Sequence, residues 1–523
     1  MRKNKFISHV MSYGTGVAIT RVLGLIREII YAQYFGAGML MDVFRVAFNL
    51  PNFLRDLFSE GSLSASFIPV CADKLKQEGE KEAADFTSQV LNNILIAITL
   101  ITALLILIAP ILVKIFVPGF LKNPYQFALT VTTMRIIFPF LIFITMSSII
   151  MGFLNINKDF SITGISHYLW NLSIITAVML LTPMFKRYSL SIIYSGAIGV
   201  VIGGFFQFAF QVPFAYRHKF RFSTHVNFKD PNFTKIIKLW IPMVIGAASY
   251  GLMFLVNNFI ASFLKTGSIS SLSYAFRLLQ LPLGIFGVSI FTVSLPRASL
   301  ENAEKDNEKV KITLIKSLHL LSVLLLPSAF FLLTDAFSIV RLIYQHGAFG
   351  ENATIITAQI LQLYAIGLFT IGANKVITGI YYSFKESKLP MISSLITVCF
   401  NIILALLLIK PLQVKSLALA LALGSFVNFA ILTRMFSKKF FSFPLSDFLK
   451  KSTPSLFASL ITSGIFILYK RYFVLLNNNT KWHQLINMTA DIIVFSVIYL
   501  ILVAIFDKYV HEQIKRILKW KKT

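Results

Sequence analysis

The sequence predicts an all-α, polytopic membrane protein of about fourteen transmembrane helices, in two six-helix lobes plus two appended helices. Three observations carry that prediction. The mean hydropathy is +0.74. Hydrophobic residues make up 56% of the chain, with 51 Phe among them. Finally, the apolar runs exceed the roughly 20 residues needed to cross a hydrocarbon core of about 30 Å, and they lack the alternation of a barrel strand.

Apolar runs bounded by charges, Pro, Gly and Asn place the spans near 10–35, 40–70, 88–116, 127–155, 162–184, 190–216, 233–263, 269–296, 311–334, 355–384, 390–409, 416–436, 448–470 and 486–506. The N-terminal MRKNKF resembles a signal n-region, but Arg21, Arg27 and Glu28 interrupt the apolar stretch after it, so it is read as mature protein. The two cysteines, Cys71 and Cys399, lie far apart and imply neither a disulfide framework nor a metal site. The formal charge of +27 would suit nucleic acid, yet no basic-aromatic module accompanies it. No nucleic-acid partner is expected.

Lys and Arg distribution orients the chain. With both termini on one side, the loops on that side hold 31 Lys and Arg and the opposite loops hold 11. Positive charge marks the cytoplasmic side, so both termini are expected in the cytoplasm. Seven cations remain inside spans: Arg21, Arg27, Arg45, Arg55, Arg135, Arg277 and Lys375.

An internal repeat divides the chain. LPNFLRDLFSEGSLSASFIP (50–69) answers LPLGIFGVSIFTVSLP (281–296), GFLNINKDF (152–160) answers GIYYSFKES (379–387), and GGFFQFA (203–209) answers GSFVNFA (424–430). Six spans per half give both copies the same orientation, a parallel repeat around a central site. The expected domains are 1–222, 223–442 and an appended 443–523.

Charges at membrane depth cost several kcal/mol each, roughly 2.5–3.5 on insertion scales, and so point to function. On span 1, Gly14, Val17, Arg21, Gly24, Glu28 and Tyr31 share one helical face, and Arg27 points to its flank. On span 2, Asp42, Arg45, Asn49, Asn52, Asp56 and Ser59 line one face with Arg55 beside it, and Pro51 is expected to kink or break the helix. Span 8 carries Arg277 with Ser270, Ser273, Gln280, Gly284 and Gly287. Small-residue stripes also mark close helix packing, and arginines near helix ends snorkel. Arg135 and Lys375, each a lone cation, are read that way. Arg45 stands at i, i+3 from Asp42, where a structural pair and a ligand contact fit equally well.

Arginine stays charged when desolvated and donates two hydrogen bonds to one carboxylate or phosphate. Arg21, Arg27, Arg55 and Arg277 therefore suggest an anionic, phosphate-bearing ligand, with Glu28, Asp42, Arg45, Asp56 and Glu60 available as supports. No P-loop, GxSxG, HExxH or Cys/His cluster is present. No catalytic site, cofactor or metal is expected. His218, His225, His319 and His511 are assigned to solvated, Lys-rich loops.

At FGAGMLMDVFRVAFNLPNFLRDLFSEGSLSASFIP, preceded by TRVLGLIRE, the chain resembles the MurJ/MviN family of lipid II flippases, and the likeness continues to about residue 440 through SLSYAFRLLQLPLGIFGVSIFTVSLP and NINKDFSITG. The family belongs to a superfamily of multidrug and oligosaccharidyl-lipid exporters with two six-helix lobes. The resemblance implies movement of a lipid-linked peptidoglycan precursor from the cytoplasmic to the periplasmic leaflet of the bacterial inner membrane, in cell-wall synthesis. It implies that Arg21, Arg27, Arg55 and Arg277 are cavity arginines on the pyrophosphate and nearby headgroup, and that Asp42 and Glu60 support the cavity or its gates. The last two spans would form a groove for the polyprenyl tail, and the chain is expected to act as a monomer.

The chain departs from some members at three places. Asn49 stands where a lysine can occur, Gln359 replaces an arginine that can pair with the residue at Glu60, and Asn257 and Asn401 stand near the place of sodium-binding carboxylates. Two other readings remain open from the residues alone: an exporter of another polyprenyl-diphosphate-linked saccharide or of drugs, and a membrane enzyme acting on lipid diphosphates. Drug exporters would favour acidic cavity groups over arginines. An enzyme would need a base or metal-binding carboxylates facing the arginines, and Asp42 and Glu60 alone do not supply them.

Overall fold

The computed structural model describes residues 22–58, 62–472, 480–507 and 511. The chain divides into two compact units, Met1–Ser270 with His346–Gly350, and Ser271–Gln345 with Glu351–Thr523. Every described regular element is helical.

The first unit contains helix α1 (22–35), α2 (Met39–Phe58), α3 (Ser62–Glu78), α4 (Glu80–Phe116), α5 (Pro124–Ile137), α6 (Phe140–Ile156), α7 (Phe160–Arg187), α8 (Ile193–Arg217) and α9 (Pro231–Ala261). Helix starts follow local chemistry. Asn123 caps α5, its side chain accepting from Gln126 N at 3.2 Å, and Pro124 occupies the first position, where a missing N–H is harmless. Asp230 caps α9 in the same way, accepting from Asn232 N at 2.7 Å and Phe233 N at 3.1 Å ahead of Pro231. At 37 residues α4 outruns a bilayer core, and its acidic start (Glu80, Glu82) lies before the apolar run. Its exposed Leu100, Leu104, Leu107 and Ile111 recur at three- and four-residue steps, the pattern of a lipid-facing stripe. The opposite face joins a core that includes Phe67, Phe86, Ile149, Ile150, Phe153 and Phe220.

The second unit holds most of α10 (Ser268–Pro282), then α11 (Val288–Ala303), α12 (Asn307–Tyr344), α13 (Glu351–Ile366), α14 (Leu368–Ser383), α15 (Lys388–Leu412), α16 (Lys415–Lys439), α17 (Leu445–Tyr472) and α18 (Lys481–Phe506). A π-turn, Leu283–Gly287, joins α10 to α11. α17 and α18 pack on α12.

The repeat read from sequence recurs as a repeat of helix breaks. The expected span 127–155 is interrupted at Phe138 and Pro139, between α5 and α6. Its counterpart 355–384 is interrupted at Gly367, where α13 and α14 bend by 45°. Polar ties recur as well. Gln211 on α8 donates to Ser147 on α6 (3.0 Å) and Ser166 on α7 (2.9 Å). In the second unit, Asn374 on α14 donates to the Ser425 carbonyl on α16 (2.8 Å), and Ser393 on α15 donates to Asn428 on α16 (2.5 Å). Where lipid is as apolar as the helix surface, such bonds and small residues supply the association that hydrophobicity cannot.

One expectation changes. Among the described residues, 10 helices are long and apolar enough to cross a membrane, or up to 11 with the bent pair counted as one span. The other expected spans fall on 10–35, which begins outside the described residues, on the charged pair α2 and α3, and on α9. The expectation that changes is at Pro51, which does not break its helix. α2 runs through Pro51 to Phe58, so the missing N–H removes one bond and leaves the helix intact.

Candidate cationic site

Three arginines of the first unit gather around two aromatic rings. Arg27, one helical step before Glu28 on α1, reaches back to it, with Nη2 3.0 Å from Glu28 Oε1. Its Nη1 donates to Asn171 Oδ1 on α7 at 3.1 Å. Arg45, from α2, binds the other oxygen of the same carboxylate. Glu28 has no exposed surface, and both arginines are 5% exposed. One buried carboxylate thus holds two guanidiniums. The Tyr31 ring lies under both, 5.7 Å from Arg27 Cζ and 5.8 Å from Arg45 Cζ.

Trp170 on α7 extends the cluster to Arg55. Arg27 Cζ stands 5.0 Å and Arg55 Cζ 5.7 Å from the indole ring. Arg55 also grips Asp56 Oδ1 through Nε (3.2 Å) and Nη2 (3.0 Å), and this pair is more exposed, with the Asp56 side chain 53% accessible. Phe48 and Phe140 flank the indole at 6.1 and 5.9 Å. Gly203 makes that seat possible. A Cβ there would lie 2.7 Å from Trp170 Cδ1 and 2.9 Å from its carbonyl oxygen, so α8 approaches only without a side chain.

Asp42 does something else. Its carboxylate accepts from Gly267 N (2.6 Å) and Ser270 N (2.7 Å), capping the start of α10 from a distant part of the chain. A carboxylate there meets both the unbonded amides and the positive end of the helix dipole. Gly267 adopts φ +92, and a Cβ would come 2.5 Å from the Ala37 carbonyl oxygen, so this close approach requires glycine.

The structure therefore brings together Arg27, Glu28, Arg45 and Arg55, and separates Asp42 from them. The possible Asp42–Arg45 pair does not form, because Glu28 takes Arg45 and backbone amides take Asp42. Arg27 likewise turns toward Glu28 instead of keeping to the flank of α1, since its side chain is long enough to wrap one residue. Arg277, partly buried in the second unit, donates to Gln280 Oε1 at 3.4 Å. Arg21 and Glu60 lie outside the described residues. Arg135 and Lys375 are both exposed, and Arg135 Nε donates to the Ile106 carbonyl at 3.1 Å.

Trp170 and Asn171 go unmarked in the sequence reading. The available signal is a Trp-Asn pair inside an otherwise aliphatic run. His319, expected in a solvated loop, is instead 5% exposed, and its Nε2 lies 2.7 Å from Asp507 Oδ2. Among the described residues no group of three or more His, Cys, Asp and Glu is placed to hold a metal. Chemically, the cluster offers cations held on aromatic faces, with three guanidiniums and two carboxylates among the described residues. It is suited to exchanging internal acids for an external anion.

Comparison with known proteins gives a consistent picture. The family model described as "Lipid II flippase MurJ" matches residues 31–480. A protein of Treponema pallidum (strain Nichols), described as "Probable lipid II flippase MurJ", is 32% identical over 443 residues, covering 83% of this chain and 82% of that one. One of the same description from Buchnera aphidicola subsp. Acyrthosiphon pisum is 32% identical over 434 residues, covering 82% and 84%. A solved structure, "Lipid II flippase MurJ, inward closed conformation", matches with a TM-score of 0.77 at 28% identity over 94% of this chain and 98% of that one. An inward-facing multidrug resistance MATE family transporter of the MOP superfamily matches with a TM-score of 0.63 at 13% identity over 83% and 95%, a likeness of fold alone.

Proposed function

The chain belongs to the MurJ family of lipid II flippases, and from that premise we propose how its arginine cluster handles the substrate. It is a multi-pass membrane transporter and not an enzyme. Its substrate by family is lipid II, a polyprenyl diphosphate carrying a saccharide-peptide.

In the proposed cycle the lipid diphosphate enters from the cytoplasmic leaflet and displaces Glu28 and Asp56 from the guanidiniums of Arg27, Arg45 and Arg55. Arg21 and Arg277 contribute further contacts to the diphosphate and headgroup, and Glu60 acts at a gate. Trp170 keeps Arg27 and Arg55 within reach of one anion while their carboxylate partners change. Alternating access then exposes the headgroup to the periplasmic side, where return of Glu28 to Arg27 and Arg45 favours release. Asp42 works as a support, through the start of α10. Both termini lie in the cytoplasm, and the chain works as a monomer.

One observation supports this reading above the rest. Among the described residues, the Arg27, Arg45 and Arg55 guanidiniums share two aromatic rings, and Glu28 and Asp56 are the carboxylates seen to hold them. The test is a headgroup-accessibility assay for lipid II in cells depleted of their own flippase. Wild type should restore periplasmic exposure of the headgroup, and Arg27→Ala should abolish it while remaining in the membrane. Full rescue by an expressed Arg27→Ala would remove the cluster from the mechanism.

A further inference from the structure

A second buried charge cluster lies wholly within the second unit. Lys470, in the last turn of α17, places Nζ 3.0 Å from Asp335 Oδ1 on α12 and 2.7 Å from Asp491 Oδ2 on α18. Asp335 is 2% and Asp491 4% exposed. Two carboxylates therefore share one ammonium at a three-helix junction, and the fully ionised cluster carries one surplus negative charge. Asp335 Oδ2 is buried and accepts no hydrogen bond. Asp335 also leaves helical geometry (φ −121, ψ 18), where α12 bends.

Among the described residues, the groups seen around the cluster are neutral or already engaged. Lys470 Nζ also reaches Ser338 Oγ on α12 (3.3 Å) and stands over Phe466 at 5.9 Å. Tyr469 on α17 is a further titratable group within reach of Lys470 and Asp491. At the same end of the bundle, Lys481 on α18 spends its ammonium on the carbonyls of Arg341 (2.8 Å) and Leu342 (3.4 Å), with Arg341 beside it. From α13 the group met at this level is the neutral Gln362, which donates to the Leu333 carbonyl at 2.8 Å.

We propose that the Asp335–Lys470–Asp491 cluster is a proton-binding site, with the proton carried on Asp335 Oδ2. A hydronium ion or buffer acid gives up its proton, an O–H bond forms at Oδ2, and water or the conjugate base departs. The cluster passes from one surplus negative charge to neutral. A buried carboxylate oxygen without a donor is the costliest atom of such a cluster, and protonation relieves it. A metal cation fits less well, because the Lys470 ammonium already lies between the two carboxylates, whereas a proton needs one lone pair. Charging and discharging this cluster changes the ionic contacts that tie α17 and α18 to α12. The proposal does not depend on lipid II, so its failure would leave the transport reading untouched.

The test is infrared difference spectroscopy on the full chain in lipid nanodiscs, between mildly alkaline and mildly acidic buffer. Wild type should gain a protonated-carboxyl C=O band on acidification, and Asp335→Asn should lose it. Asp491→Asn leaves a one-to-one pair with Lys470, so the band should then grow in only at lower pH; this variant carries the test if Asp335→Asn does not fold. An unchanged band in both variants overturns the proposal. So does a wild-type band that disappears when sodium replaces potassium at constant pH, which would make the cluster a metal-cation site.

Discussion

Replacing Glu28 with Gln should weaken the resting protein and strengthen its grip on diphosphate. The carboxylate accepts from Arg27 at 3.0 Å and also holds Arg45, from a position with no solvent contact. Charge-assisted hydrogen bonds contribute about 1.5–3 kcal/mol each. Breaking a buried ion pair by removing one partner costs about 3–5 kcal/mol. Arg27 keeps Asn171 and the Trp170 face, so the loss should fall near the lower figure, about 3 kcal/mol. The assay is thermal unfolding in detergent, with and without inorganic pyrophosphate. Without anion, the Glu28→Gln midpoint should fall below wild type. With pyrophosphate, it should recover by more than wild type gains, because no carboxylate at position 28 competes for Arg27 and Arg45. An unchanged midpoint without anion, or equal gains in both proteins, would show that Glu28 neither braces the cluster nor competes with the ligand.

Other outcomes rest on the same geometry. Asp42→Ala removes both acceptors at the start of α10, and charged bonds of about 1.5–3 kcal/mol each make this a larger loss than an ordinary cap; faster limited proteolysis between α9 and α10 should report it. Gly203→Leu should push Trp170 out from between Arg27 and Arg55, measurable as a shift in tryptophan emission together with loss of flippase complementation. Asp230→Ala should lower stability by about 1 kcal/mol as a lost helix cap, read from the unfolding midpoint at neutral pH. Burial opposes the Asp230 charge, but the amides of Phe233 and Asn232, the Gln89 side chain and Lys74 outweigh it and hold the carboxyl below its usual range. Its contribution is therefore present above the ordinary carboxylate pKa and lost as pH falls through the depressed one. Wild type and Asp230→Ala should converge in strong acid; a gap that persists there would show that the cap does not act through its charge.

Much of the fold is legible one residue at a time. Membrane helices must satisfy their own backbone and cover about 30 Å with apolar side chains, so composition, run length and loop charge reveal the class and most spans. The repeat is readable because its copies keep polar residues such as Gln207 and Asn428 in register. Helix breaks are harder to place. Pro51 has the chemistry of a break and is not one, whereas the interruptions occur at Phe138–Pro139 and Gly367. A proline removes one hydrogen bond, and neighbouring helices decide whether that bends the backbone.

Residue content and order alone dictate that this chain spans a membrane and carries arginines inside its apolar stretches, where a charge costs enough to point to function. Which acid serves which base is a matter of helix packing and is visible only in the folded chain. Glu28 rather than Asp42 holds Arg45, Asp42 caps α10, and Trp170 brings Arg27 and Arg55 to one ring. His319 and Asp507, like Asp335, Lys470 and Asp491, meet across residues far apart in the chain. Long side chains reach several ångströms in many directions, so helical periodicity names the face a charge leaves from. The partner it finds depends on which helices pack there.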